Sequence, residues 1–239
     1  MLIRNTKTRI DESVLSHVPS FEGLSLGQIR EILDQAVSGY IEDGETIFEE
    51  AQPARRFYIL LDGHIRVVRH TADGDQVIVA YIPPGELFGI ARAIRRETYP
   101  ATAIAASDCI ILSWPSALFD EFSANYKGFA AEAYRMLGER LTERNDRLIS
   151  MATQKVEQRI ALALFALSER SGRPVEEGME IAFPISRQDL SEMTATTLYT
   201  ASRAMSKWEK EGIIRTLRKR ILVCDQERLR LLATGGNEI

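Results

Sequence analysis

One change of hydrophobic period divides this chain. From about Tyr40 to Trp114 the apolar residues come in short strand-like runs: Phe57-Tyr58-Ile59-Leu60-Leu61, Ile65-Arg66-Val67-Val68, Val77-Ile78-Val79-Ala80-Tyr81-Ile82 and Cys109-Ile110-Ile111-Leu112. Turn signals separate them at Asp43-Gly44, Asp62-Gly63, Asp73-Gly74 and Pro83-Pro84-Gly85. Beyond about Asn125 apolar residues recur every three or four positions. The chain therefore reads as α+β, with strands gathered ahead of helices. Short runs at short intervals predict an antiparallel barrel or sandwich, and Gly44, Gly63 and Gly85 fall roughly twenty residues apart, as in a β-roll that folds back on itself. Ahead of the strands, residues 20–36 read as helical, with Leu24, Ile29 and Ile32-Leu33 at helical spacing and Ser25 as a cap before Gln28.

A length of 239 residues suggests one large or two modest domains, and 45% hydrophobic with 27% charged residues is an ordinary globular balance. Disordered and collagen-like chains are excluded. No apolar run approaches the roughly 18 residues of a membrane span. Residues Met1 to Asp11 are polar and carry no signal-peptide core, so a cytoplasmic protein without membrane contact is expected. Cys109 and Cys224 lie far apart with no Cys/His cluster, which leaves no zinc or four-cysteine iron–sulfur site. No GxSxG, P-loop, GxGxxG or metal-ligand spacing occurs, so neither an enzyme nor a metal protein is predicted.

The helical half opens on a stripe. Ala130, Tyr134, Leu137, Leu141, Leu148 and Met151 are spaced 4, 3, 4, 7 and 3 residues apart, and only Arg144 interrupts them. Charges such as Glu139, Arg140, Glu143, Asp146 and Arg147 fill the positions between. So narrow a stripe suits a two-helix contact, because a helix lying on its own sheet needs a wider apolar arc. We expect residues 125–154 to form a dimerisation helix, with Tyr134, Leu137, Leu141, Leu148 and Met151 at the interface. It would join an N-terminal domain, 1–124, to a C-terminal domain, 155–239. Val156 to Arg170 reads as the core helix of the latter, stopped at Ser171-Gly172-Arg173-Pro174.

Net charge is −4, yet residues 186–230 hold ten Lys/Arg against six Asp/Glu. A basic segment on an acidic chain is a candidate phosphate-contacting face. Ser186 with Asp189 resembles a capping box, and Leu190 and Met193 point inward on the short helix that follows. Thr194-Ala195 breaks it. Thr196 or Thr197 caps a second helix that buries Leu198, Ala201, Met205 and Trp208 and closes at Gly212. Two short helices on a tight turn read as a helix-turn-helix, whose second helix enters the DNA major groove. Its outer face presents Thr197, Tyr199, Thr200, Ser202, Arg203 and Lys207, types that bond bases and phosphates. Ile213-Ile214-Arg215 and Ile221-Leu222-Val223 then flank the basic turn Leu217-Arg218-Lys219-Arg220, a wing whose charge would make DNA affinity fall with salt. The plainer reading is a helical hairpin with a solvated basic turn.

Taken in order, Phe57-Tyr58-Ile59-Leu60-Leu61-Asp62-Gly63, Pro84-Gly85-Glu86-Leu87-Phe88-Gly89, the long helix and Ser186-Arg187-Gln188-Asp189-Leu190 resemble the CRP/FNR family of bacterial transcription regulators, over about residues 20–232. The resemblance implies a homodimer with an effector-sensing β-roll of the cyclic-nucleotide-binding kind and a C-terminal winged helix-turn-helix on double-stranded DNA. It implies RNA polymerase contact through exposed loops of the sensor, for which Arg92, Arg95 and Arg96 are the candidates; the alternative is a solvated basic loop. Arg187, Gln188, Arg218, Lys219 and Arg220 join the DNA-contacting residues, and Gly85, Phe88, Gly89, Tyr99 and Thr102 form the effector pocket. The alternative is an effector-binding regulatory module that does not itself read DNA.

Departures from the family pattern narrow the effector. Cyclic-AMP-binding members place a Glu after the Phe-Gly turn and an Arg-Ser or Arg-Thr pair further on; Ile90, Pro100 and Ala101 stand there instead. A buried cyclic phosphate would lack its charge-assisted partner, so tight cyclic-AMP binding is not expected. Tyr99-Pro100-Ala101-Thr102-Ala103 and Thr196-Thr197-Leu198-Tyr199-Thr200 look like the branch associated with denitrification and nitric oxide. Members of that branch are thought to sense nitric oxide through haem, for which only His17, His64 or His70 could be the axial histidine. Tyr199 replaces the Glu that in many members accepts from cytosine, Ser202-Arg203 matches the FNR-like branch, and Ala195 replaces the usual turn Gly.

Overall fold

The computed structural model describes residues 4–5, 11–217 and 220–236. The chain forms two compact units, one of residues up to Arg69 with Ala80–Thr142, the other of His70–Val79 with the residues from Glu143 onward.

In the first unit, β1 (Arg4–Asn5) and two 3₁₀ turns precede α1 (Leu26–Asp34). Ser25 Oγ accepts from Gln28 N (3.3 Å) while Gln28 Oε1 accepts from Ser25 N (2.9 Å), a complete capping box. Then come β2 (Val37–Ile41), β3 (Thr46–Phe48), β4 (Arg56–Asp62), β5 (Ile65–His70), β6 (Gln76–Ile82), β7 (Leu87–Phe88), β8 (Thr102–Ala105) and β9 (Cys109–Pro115). They make sheets ordered β1-β2-β9-β4-β7 and β3-β8-β5-β6, the expected β-roll. Two helices follow, α2 (Leu118–Asn125) and α3 (Lys127–Thr153), the residues of α3 from Glu143 onward belonging to the second unit. The helical half therefore starts earlier than Asn125 and is broken at Tyr126, whose backbone is extended (φ −122°, ψ 92°).

Strand β4 alternates between two cores, as a pleated strand must when both faces are covered. Phe57 and Ile59 join Phe21, Ile29, Trp114, Phe119, Phe122 and Phe129 beneath the helices. Trp114 stacks on Phe57 at 5.4 Å, and its Nε1 donates to Ile32 O at 2.8 Å. Tyr58 and Leu60 point into the roll, with Phe48, Phe88 and Tyr99.

The second unit holds α4 (Val156–Ser171), β10 (Gly172–Val175), β11 (Gly178–Ile181), α5 (Arg187–Met193), α6 (Leu198–Lys210), β12 (Ile214–Leu217), β13 (Arg220–Val223) and α7 (Gln226–Thr234). Its sheet runs β10-β11-β13-β12. Gly172, expected only as a helix stop, opens a strand with ordinary φ of −83°. A side chain is excluded there because a Cβ would lie 2.1 Å from Ser168 O and 2.5 Å from Met179 Cγ. Leu164, Phe183, Leu190, Met205, Trp208 and Leu229 are among its buried residues. Arg147 donates to the main-chain oxygens of Ile78 (2.9 Å) and Met193. Among the described residues, no helix is long and apolar enough to cross a membrane.

His64 sits between β4 and β5 and is 8% exposed. Burial pushes its imidazole down from 6.5 to about 4, against the opposing influence of Asp62. The unfolded chain takes up a proton between those values that the folded chain refuses. Stability is therefore expected to fall by about 3 kcal/mol as pH drops through that window. Urea melts across the window should show the fall in the wild type and a flatter profile in His64→Gln.

Candidate DNA-reading surface and effector pocket

Local chemistry sets both helices of the turn. Ser186 Oγ accepts from Asp189 N (3.1 Å) and Asp189 Oδ2 accepts from Ser186 N (2.7 Å), so Asp serves where Glu is usual in a capping box. Ala195 turns the chain in the left-handed region, φ +48°. Thr197 caps α6, its Oγ1 accepting from Thr200 N at 3.2 Å. Ala201, Ala204, Met205 and Trp208 form the buried seam of α6. Leu198 does not join it, contrary to expectation, and is 47% exposed. It is the first helical residue, and residues 195–197 before it are themselves exposed or half-exposed and offer no cover.

The opposite face presents Thr197, Tyr199, Arg203 and Lys207 as exposed residues, with Thr200 and Ser202 half-exposed. Tyr199, Ser202, Arg203, Ser206, Lys207 and Lys210 line an open recess of about 540 Å³ with Glu211. Ser206 and Lys210 were not among the sequence candidates, although helical steps of four and seven from Ser202 and Arg203 lead to them. The Arg203 guanidinium carbon lies 5.7 Å from the Tyr199 ring centroid.

Other predicted DNA contacts are placed differently. Arg187 donates to Ser206 Oγ (3.1 Å) and Glu209 Oε2 (2.9 Å), and Glu209 Oε1 accepts from Thr216 N (3.1 Å). These bonds tie the start of α5 and the strand β12 to α6. Gln188 is exposed and donates to Glu192 at 2.9 Å. Arg220 and Arg173 share Glu180 (3.2 and 2.8 Å), and the two cations, Arg173 foremost, hold its carboxyl below the usual range. Arg218 and Lys219 lie outside the described residues.

Of the expected effector pocket, Phe88, Gly89 and Tyr99 come together. Tyr99 stacks on Phe48 at 3.8 Å, Tyr58 on Phe88 at 4.9 Å and Phe48 on Tyr58 at 5.7 Å. Tyr99 Oη donates to Arg56 O at 2.7 Å. Burial raises the pKa of both phenols, Tyr58 and Tyr99. Gly89, at φ +67°, permits the stack, since a Cβ there would stand 2.9 Å from Tyr58 and 3.2 Å from Phe48. Thr102 is buried at the start of β8 and accepts from Glu50 N (2.9 Å). Gly85 stands apart in the turn before β7, beside Pro19. Ile90 and Ala101 are buried and Pro100 half-buried, so no cation occupies any of these three positions.

The stripe on α3 is bare where it was expected to meet a partner. Tyr134, Leu141 and Leu148 are 62%, 61% and 66% exposed, and Met151 is exposed as well. Ile149, not anticipated, adds to this apolar surface. Leu137 is half-buried against the first core, in which the neighbouring face of α3 buries Phe129, Ala133 and Met136.

A left-handed backbone costs alanine about 1–2 kcal/mol, partly offset by the larger unfolded-state entropy of glycine. Ala195→Gly is therefore expected to stabilise the second unit by up to about 1 kcal/mol, read as a higher urea midpoint at unchanged slope.

Comparison with known proteins finds the same two parts. The family described as cyclic nucleotide-binding domain matches residues 39–126, and the one described as Crp-like helix-turn-helix domain matches residues 158–232. The chain is 22% identical over 218 residues to the CRP-like cAMP-activated global transcriptional regulator of Mycobacterium tuberculosis, covering 91% of this chain and 97% of that one. It is 25% identical over 212 residues to the nitrogen fixation regulation protein FixK of Bradyrhizobium diazoefficiens, covering 89% and 88%. The solved structure of FixK2 from Bradyrhizobium japonicum shares the fold, with a TM-score of 0.73 at 24% identity over 82% of this chain and 96% of that one. A β-roll followed by a capped helix-turn-helix and wing, matched along nearly the full length of such relatives, makes this chain a member of the CRP/FNR family of DNA-binding transcription regulators.

Proposed function

We propose that the protein works as a homodimer that sets two copies of α6 one turn of DNA apart, about 34–36 Å, on a near-palindromic site. The bare apolar stripe of α3 carries this reading, because Tyr134, Leu141 and Leu148 gain most from water exclusion by an identical stripe. Leu137 and Met151 continue the seam, Arg144 interrupts it, and exposed charges such as Glu139 and Glu143 would remain in water at its edges.

DNA contacts divide by kind. Ser202 and Arg203 address base edges, Arg203 through guanine O6 and N7, with Tyr199 beside them. Thr197, Thr200, Gln188, Lys207 and the basic turn 218–220 address phosphates. Arg187 acts as a positioning residue, through Ser206 and Glu209. For activation, exposed Arg95 and Arg96 would meet RNA polymerase, beside Arg92 paired to Asp120 at 2.7 Å.

The likeness of Tyr99-Pro100-Ala101-Thr102-Ala103 and of the helix-turn-helix to the nitric-oxide and denitrification branch supports target genes of that kind. The residues of the roll do not fit haem. Stacked Phe48, Tyr58, Phe88 and Tyr99 fill the interior that a porphyrin would need. His64 is buried in a turn, with its main-chain N and O bonded to Ser107 and Ala106, while His17 and His70 are exposed. Haem titration is expected to give no Soret shift that substitution of any of the three histidines removes.

Leu141→Glu combined with Leu148→Glu is expected to convert a dimer in analytical ultracentrifugation into a monomer. The same variant should weaken binding to a palindromic duplex about a hundredfold. Wild-type protein that sediments as a monomer and binds single half-sites as well as palindromes would overturn the reading.

A further inference from the structure

We propose that Tyr199 sets the sequence specificity of α6: its ring selects a thymine through the C5 methyl and holds the Arg203 guanidinium ready for a guanine one or two base pairs away. This rests on α6 being the groove-entering helix. Tyr199 is 69% exposed, the most exposed large apolar side chain among the described residues. It is the second residue of α6, at the end that meets base edges in a helix-turn-helix. In the major groove the apolar group on a base edge is the thymine methyl. A ring bared to water at this end of the helix gains by covering that methyl, whereas a carboxylate at the same point would accept from cytosine N4.

The hold on Arg203 follows from charge. Arg203 lies one helical turn beyond Tyr199, about 6 Å along the axis, or one to two base-pair steps. Its guanidinium carbon is 5.7 Å from the ring centroid, within cation–π range. Three other cations of this unit are tied to carboxylates, Arg187 to Glu209 at 2.9 Å, Lys207 to Glu157 at 3.7 Å and Arg220 to Glu180 at 3.2 Å, while Lys210 of the same recess is not, among the described residues. Among the described residues no carboxylate pairs with Arg203. The ring steers the guanidinium without neutralising it. A Glu at position 199 would make an i,i+4 ion pair that has to break before guanine is reached.

Full-length protein is used to select sites from randomised duplexes, and equilibrium binding is then measured on the selected site and its variants. Replacing one thymine by uracil, which removes only the methyl, is expected to weaken the wild type about fivefold. Tyr199→Phe should respond alike, Tyr199→Ala should be indifferent, and Tyr199→Glu should prefer cytosine there. Tyr199→Ala should also lose most of the guanine-over-adenine preference, and should lose little more in an Arg203→Lys background. Low-salt binding to random duplex, retained by every variant, verifies the fold. A wild type indifferent to uracil, or Tyr199→Phe as weak as Tyr199→Ala, would overturn the proposal and leave DNA reading by α6 intact. Failure of the wild type to enrich any sequence would overturn both.

Discussion

The burial of one seam governs the candidate DNA-reading surface. Ala201, Ala204, Met205 and Trp208 recur at helical spacing, and once they are taken out of water the residues between them must face outward. Tyr199, Arg203 and Lys207 owe their exposure to that geometry. Rotation of the helix is then limited by polar bonds at both ends. Thr197 caps its start, and Glu209 near its finish holds Arg187 on one side and the Thr216 amide on the other. A carboxylate with both oxygens engaged at partly buried positions is a firmer restraint than a surface ion pair, which is commonly worth less than about 1 kcal/mol.

The roll solves a related problem with the other period. Successive residues of β4 serve different cores, Phe57 beneath the helices and Tyr58 inside the roll. The interior is filled by aromatic stacking and closed by the Tyr99 hydroxyl on Arg56 O. Such a filling is apolar, with Ile41, Leu60, Ile65, Ile82 and Ile111 completing the buried cluster around the rings. The fold matched to a cyclic nucleotide-binding domain thus encloses an aromatic interior.

What the sequence disclosed was what local physics controls. The caps at Ser25 and Ser186, a threonine cap at Thr196 or Thr197 and most of the seam of α6 involve residues a few positions apart, and these were legible. Helix α2 was hidden because it is short and begins without a side-chain cap. Strand β10 was hidden because Gly172 and Pro174 imitate a helix stop, while the contacts that exclude a side chain at Gly172, Ser168 O and the Met179 side chain across the hairpin, appear only in the folded chain. The pairing of Arg187 with Glu209 was hidden because the two are twenty-two residues apart and nothing local announces the pair. Phe48 escaped notice as a pocket residue for the same reason, since its stacking partner Tyr99 is brought to it only by the closing of the roll. Leu198 satisfied the seam's spacing, but periodicity cannot say where the covering surface ends.

The chain contains two tryptophans, and the structure puts one in each unit: Trp114 in the first, hydrogen-bonded to Ile32 O, and Trp208 in the second, with its Nε1 buried and unbonded among the described residues. Both indoles are shielded from water, yet only one of them is hydrogen-bonded. Each half of the regulator therefore has its own intrinsic fluorophore. Changing either tryptophan to phenylalanine leaves a single tryptophan emitter, so the melting of the first core and that of the second can be followed as separate optical signals without any added label.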